Sequence, residues 1–86
     1  KVLSIKMKTE SELDRFFEKH NLSSREQEIT RMILKGKSNR DIENALFISL
    51  STVKSHIYKI YRKLGVKTRM ELLHLLQTSI SIHIKG

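Results

Sequence analysis

The chain has 86 residues, with 17 Lys and Arg against 9 Asp and Glu, a formal net charge of +8, and neither cysteine nor proline. A chain this short forms one small domain with a modest core, because small chains bury a smaller fraction of their surface, and a deep substrate cavity is not expected. The charge favours an anionic partner, nucleic acid or an acidic membrane, while the missing cysteines exclude disulfides and thiolate metal sites.

His20, His56, His74 and His83 show no paired metal-ligand spacing, so neither a metal nor another cofactor is expected. Nucleophile, base and orienting group do not come together in any motif, and no phosphate-cradling glycine loop is visible, so enzyme activity is not expected. No apolar run approaches the roughly 20 residues that cross a bilayer, and no signal-peptide hydrophobic region follows the basic start. A soluble chain with no membrane contact is therefore expected. It begins at Lys1 and not at Met, which fits a piece of a longer protein.

In chain order, residues 1–8 hold too few apolar side chains to define an element. Thr9 with Glu12, Ser23 with Glu26, Ser38 with Asp41 and Thr68 with Glu71 each place a hydroxyl three residues before an acid, the capping-box signature of a helix start. Ser49 supplies a fifth N-cap, and Gly36 and Gly65 supply stops. The predicted helices run from Glu10 to Lys19, Ser24 to Lys35, Asn39 to Leu46, Leu50 to Leu64 and Arg69 to Thr78, an all-α fold. Leu13, Phe16 and Phe17, then Ile29, Met32 and Ile33, then Ile42 and Leu46, recur at helical spacing as candidate core.

The fourth helix is the most informative. Val53, Ile57, Ile60, Tyr61 and Leu64 form one core-facing stripe. Steps of about 100° per residue set Ser51, Ser55, Tyr58, Lys59 and Arg62 opposite it, with Lys54 on one shoulder and Thr52, His56 and Lys63 on the other. Residues 44–70 contain no Asp or Glu yet hold Lys54, Lys59, Arg62, Lys63, Lys67 and Arg69. A helix kept charged only for solubility interleaves its signs; this one presents cations and hydroxyls alone, as suits phosphate.

In the last helix Leu72, Leu73, Leu75 and Leu76 subtend a wider arc than one core stripe needs. Self-association and a terminal helix wedged between its neighbours both account for it. Ile80, Ile82 and Ile84 alternate like a strand without a partner and are read as tail. The division expected is residues 1–21 as an N-terminal segment with an amphipathic helix and a linker, 22–79 as the domain, and 80–86 as a C-terminal tail.

Two helices joined by Phe47, Ile48 and Ser49, the second basic and outward-facing, make a helix-turn-helix, whose second helix fits the roughly 12 Å major groove of DNA. From Leu22 to Leu76 the sequence resembles the LuxR/GerE-type DNA-binding domain of bacterial transcription regulators. Leu22, Ser23, Arg25 and Glu26, then Gly36, Ser38, Asn39 and Ile42, then Ser49, Thr52, Val53, Lys54 and His56, then Lys63, Leu64, Gly65 and Arg69 carry that resemblance. It implies a four-helix domain, preceded here by one more helix, that binds duplex DNA sequence-specifically in the bacterial cytoplasm as a homodimer and regulates transcription, with RNA polymerase as a further partner.

The resemblance places base reading on Lys54, Ser55 and Tyr58. Ser38, Asn39, Ser51, Thr52, His56, Lys59, Arg62, Lys67 and Arg69 suit phosphate contacts, while Lys63 lies nearest the core. The dimer candidates are Met70, Leu72, Leu73, His74, Leu75 and Leu76. One departure is Glu43, where the family usually has a small residue after the isoleucine of the first motif helix; an unpaired buried carboxylate is costly, so Glu43 is expected at the rim near a basic side chain. The alternatives weighed are a promoter-binding module like region 4 of sigma factors and a basic helical protein-interaction module. The TVKSH run and the leucine-rich last helix favour the LuxR type.

Overall fold

A computed structural model describes the backbone of residues 10–85 and the side chains of 12–78. Its elements are α1 (Glu10–Lys19), α2 (Ser24–Leu34), α3 (Asn39–Leu46), α4 (Leu50–Leu64) and α5 (Arg69–Lys85), with no strand among the described residues. The all-α expectation holds. Thr9 lies outside the described residues.

Local chemistry sets most helix ends. At α2 the Ser23 hydroxyl accepts the Glu26 N–H at 3.2 Å while the Glu26 carboxylate accepts the Ser23 N–H at 2.9 Å. At α3 the same reciprocal pair forms between Ser38 and Asp41, at 3.1 and 2.9 Å, so the shorter acid still reaches. The fourth box closes only halfway: the Thr68 hydroxyl accepts the Glu71 N–H, but the Glu71 carboxylate accepts from the Lys67 N–H instead. Gly65, with φ of 72°, ends α4 in the left-handed region.

The core is one cluster that draws on every helix: Leu13 and Phe17 of α1, Ile29 and Ile33 of α2, Ile42 of α3, Val53, Ile57, Ile60 and Leu64 of α4, and Leu72 and Leu76 of α5. Helix α4 is its axis, packed against both α2 and α3. Phe17 is fully buried, with Arg31 lying 5.2 Å over its ring and pairing with Asp14. Helix α1, whose Leu13, Phe16 and Phe17 have the spacing of core residues, is seated on the same core, with Phe16 half-buried beside it.

Two features differ from the sequence expectation. The turn between α3 and α4 contains no glycine, yet Phe47 takes the left-handed conformation, with φ of 55°, and lies 92% exposed. That backbone costs a non-glycine residue about 1–2 kcal/mol; it lets the Glu43 carbonyl accept from both Phe47 and Ile48 and leaves Ile48 packed on the core. Helix α5 continues past Thr78 to Lys85 where a tail was expected. No glycine or proline interrupts residues 69–85, so nothing local stops the helix, and isoleucines alternating with Ser and His are compatible with it.

Candidate nucleic-acid interface

Burying Val53, Ile57, Ile60 and Leu64 fixes the rotation of α4. Its opposite side then emerges as expected: Ser51, Lys54, Ser55, Tyr58, Lys59 and Arg62 are exposed, and Tyr58 keeps 62% of its surface. The Arg62 guanidinium lies 5.8 Å from the Tyr58 ring centroid, one turn along, within reach of a cation–π contact. At the start of α4 the Ser49 hydroxyl accepts the Thr52 N–H at 3.1 Å and lies 2.9 Å from the Thr52 hydroxyl and 3.1 Å from that of Ser51. No acid stands in the first turn of α4, so its amide dipoles and hydroxyls face outward without a competing carboxylate.

His56 is half-buried on the flank. Lys63 leaves the outer face altogether: its ammonium donates to the Glu26 carboxylate at 2.7 Å and to the Asn21 carbonyl at 2.9 Å. Asn21 is itself left-handed, with φ of 59°, a conformation Asn tolerates better than most residues. Burial pushes the Glu26 carboxyl up, but Lys63 and the Ser23 N–H outweigh it and hold the group below the usual carboxylate range. Sequence reading took Glu26 only as a cap; it is also the buried counter-charge of the fourth helix.

A second group of site residues gathers at the start of α3. Ser38 is the N-cap and exposed, and Asn39 is half-buried as the first helical residue. Arg69, which opens α5, donates one guanidinium nitrogen to the Asn39 side-chain oxygen at 3.0 Å and the other to the Lys37 carbonyl. Its charge also acts on the Tyr61 hydroxyl, whose pKa burial raises and Arg69 pulls back. The Arg69 head, expected at phosphate, is therefore engaged inside the domain. Sequence reasoning missed Lys37 and Tyr61 in this group, since nothing in their local spacing marks them. Lys67 is exposed on the loop between α4 and α5.

Glu43 lies at the rim, 31% exposed, with its carboxylate 3.7 Å from the Arg40 guanidinium, as its departure from the family pattern led us to expect. On α5, Leu72 and Leu76 are 0% and 1% exposed. These two dimer candidates are withdrawn into the core, because an i, i+4 pair facing inward anchors the helix and leaves them nothing to offer a partner. Met70, at 74% exposure, stays outside with His74, while Leu73 and Leu75 are half-buried. Val66, Met70, Leu73, His74 and Leu75 line an open, mainly apolar recess there.

A profile of the bacterial regulatory proteins of the luxR family matches residues 20–76, well over half of the chain. The chain belongs to the luxR family. Within it, α3 and α4 are the helix-turn-helix of a DNA-binding domain of transcription regulation. Among its relatives, the CsgBAC operon transcriptional regulatory protein of Escherichia coli is 44% identical over 50 residues, 58% of this chain and 23% of that protein. The oxygen regulatory protein NreC of Staphylococcus aureus is 46% identical over 52 residues, 60% of this chain and 24% of its own length. The uncharacterized response regulatory protein YgeK of Escherichia coli is 37% identical over 70 residues, 81% of this chain and 48% of its length. The chain thus spans between about a quarter and a half of these relatives. No solved structure matches it. Among the described residues no helix is long and apolar enough to cross a membrane.

Proposed function

We propose that this luxR-type domain binds a specific duplex DNA sequence as a homodimer in the bacterial cytoplasm and thereby regulates transcription, with RNA polymerase as a further partner. Helix α4 enters the major groove. Lys54 donates to guanine O6 or N7, Ser55 pairs with adjacent base edges, and Tyr58 contacts a thymine methyl or a phosphate. Ser38, Asn39, Ser51, Thr52, His56, Lys59, Arg62 and Lys67 hold the backbone and set the register without specifying sequence. Met70, Leu73, His74 and Leu75 meet the same surface of a second copy, since a two-fold pair repeats one patch on both subunits. The activity assigned is binding, with no catalytic step.

One observation carries this reading: α4 presents Lys54 and Lys59 with no ion pair among the described residues, on a helix without an acid. Such a surface attracts phosphate and releases its counterions on binding. The test is a fluorescence-anisotropy titration with duplex DNA selected by this chain from a random pool, against a scrambled duplex. Selected DNA should bind more tightly, and about six phosphate contacts should give a log–log salt slope near −5, at roughly −0.9 per contact. Equal affinity for both duplexes at every salt concentration would refute sequence-specific recognition. Sedimentation on a duplex with two half-sites should show two copies per duplex, reduced to one by Met70→Asp.

A further inference from the structure

We propose that Arg69 is a positioning residue for DNA binding and not a phosphate ligand: it fixes the amide of Asn39 so that Asn39 offers DNA its N–H groups. This inference rests on the reading that the start of α3 meets the DNA backbone. The geometry around the guanidinium carries it. Arg69 opens α5, yet its nitrogens donate to the Asn39 side-chain oxygen at 3.0 Å and to the Lys37 carbonyl. One planar head thus ties the start of α5 to the loop before α3 and to the first residue of α3.

The consequence for Asn39 follows from donor and acceptor inventory. A guanidinium has only donors, and a carboxamide has an oxygen on one side and an NH2 on the other. Asn39 can meet Arg69 only with its oxygen. Its NH2, with two N–H donors, is then turned away from Arg69. The flipped amide would set donor against donor beside Arg69 and show its oxygen to the backbone of DNA, where two acceptors would repel. Phosphate oxygens only accept, so the orientation that Arg69 selects is the productive one. The neighbouring positive charge also polarises the amide and strengthens its donation. A lysine cannot take over: its ammonium is a point charge on a flexible stem, without the fixed fork that holds an amide and a carbonyl together.

The test uses the 86-residue chain with Arg69→Lys, Asn39→Ala and the double variant, after each is shown by circular dichroism to melt cooperatively. With the selected duplex, each single variant should bind about ten- to a hundredfold more weakly, as expected for losing one hydrogen bond to a charged group. The double variant should bind no more weakly than the poorer single variant, because both remove the same contact. Wild-type affinity for Arg69→Lys, or losses that multiply in the double variant, would overturn the proposal, since a phosphate ligand keeps its charge as lysine and acts independently of Asn39. The side-chain amide resonances of Asn39 in the DNA-free chain give a second readout. They should shift in Arg69→Lys, and unchanged resonances would overturn the orientation argument. If the wild-type chain failed to distinguish selected from scrambled DNA, the DNA reading would fall, while these resonances would still decide whether Arg69 holds Asn39.

Discussion

Helices α2 and α4 pack on each other through similar aliphatic stripes, and both carry several charges, yet they use those charges in opposite ways. On α2, Arg25 pairs with Glu28 along the helix, Arg31 reaches Asp14 of α1, and Glu26 is buried against Lys63. On α4, among the described residues, Lys63 alone is neutralised by a carboxylate; Arg62 lies over the Tyr58 ring, and Lys54 and Lys59 have no ion pair. Burial of the apolar stripe therefore says which way a helix faces, and pairing of the remaining charges says what that face is for. A paired face is internally satisfied. An unpaired cationic one keeps its attraction available to a partner.

The contrast can be broken most directly by charge reversal. Lys54→Glu should weaken binding of the selected duplex by about 100-fold, roughly 3 kcal/mol, at the upper end for a base-reading contact. Arg25→Ala on α2 should change it less than about twofold, as a partly exposed i, i+3 pair contributes little. Similar losses in the two variants, read by anisotropy at one salt concentration, would remove the distinction between the faces.

Next in size is Lys63, the α4 cation held by the Glu26 carboxylate. Lys63→Met should cost about 1–2 kcal/mol of stability, less than for a fully buried pair because its side chain is 36% exposed. For a domain of this size that lowers the midpoint by about 4–8 °C per kcal/mol, measured by thermal circular dichroism, with little loss of DNA affinity beyond its unit of charge. Its pH dependence has a definite sign. Glu26 is held below its ordinary value of 4.5 in the folded chain, so its stabilisation is fully present above that value and is lost as pH falls through the folded pKa. In Lys63→Met the burial that raises the pKa is no longer opposed by the ammonium, so the folded pKa moves back up and the loss of stability on acidification should shrink.

Gly65→Ala should destabilise by about 1 kcal/mol, the strain of a left-handed alanine. An added Cβ would meet nothing within 4 Å there, so the cost belongs to the backbone alone, and a clearly larger loss in denaturant unfolding would point to a contact on α4 or α5. The smallest effect is Lys59→Ala, which should weaken selected and scrambled duplexes alike and reduce the salt slope by about 0.9. A change confined to the selected duplex would move Lys59 into the base-reading group.

Much of this organisation is legible in the sequence because it is local. Ser23 with Glu26 and Ser38 with Asp41 meet across three residues whatever the rest of the chain does, and Gly65 marks a conformation few other residues adopt. The periodic stripe of α4 likewise fixes its exposed side before any partner is known. Phe47 was not legible as a left-handed residue, because its backbone strain is compensated by the packing of Ile48 on a core formed by other segments. Leu73 and Leu75 could not be separated from Leu72 and Leu76 for a related reason: adjacent apolar residues on one helix differ only in which neighbours reach them.

By itself, then, the sequence determined the helices, the luxR-type spacing and the cationic side of α4, all products of contacts within about one helical turn or of composition. Tertiary structure decided which cations stay outside. Lys63 and Arg69 find partners 37 and 30 residues away in Glu26 and Asn39, distances over which spacing carries no information and only the packing of α2, α3 and α5 around α4 brings donor to acceptor.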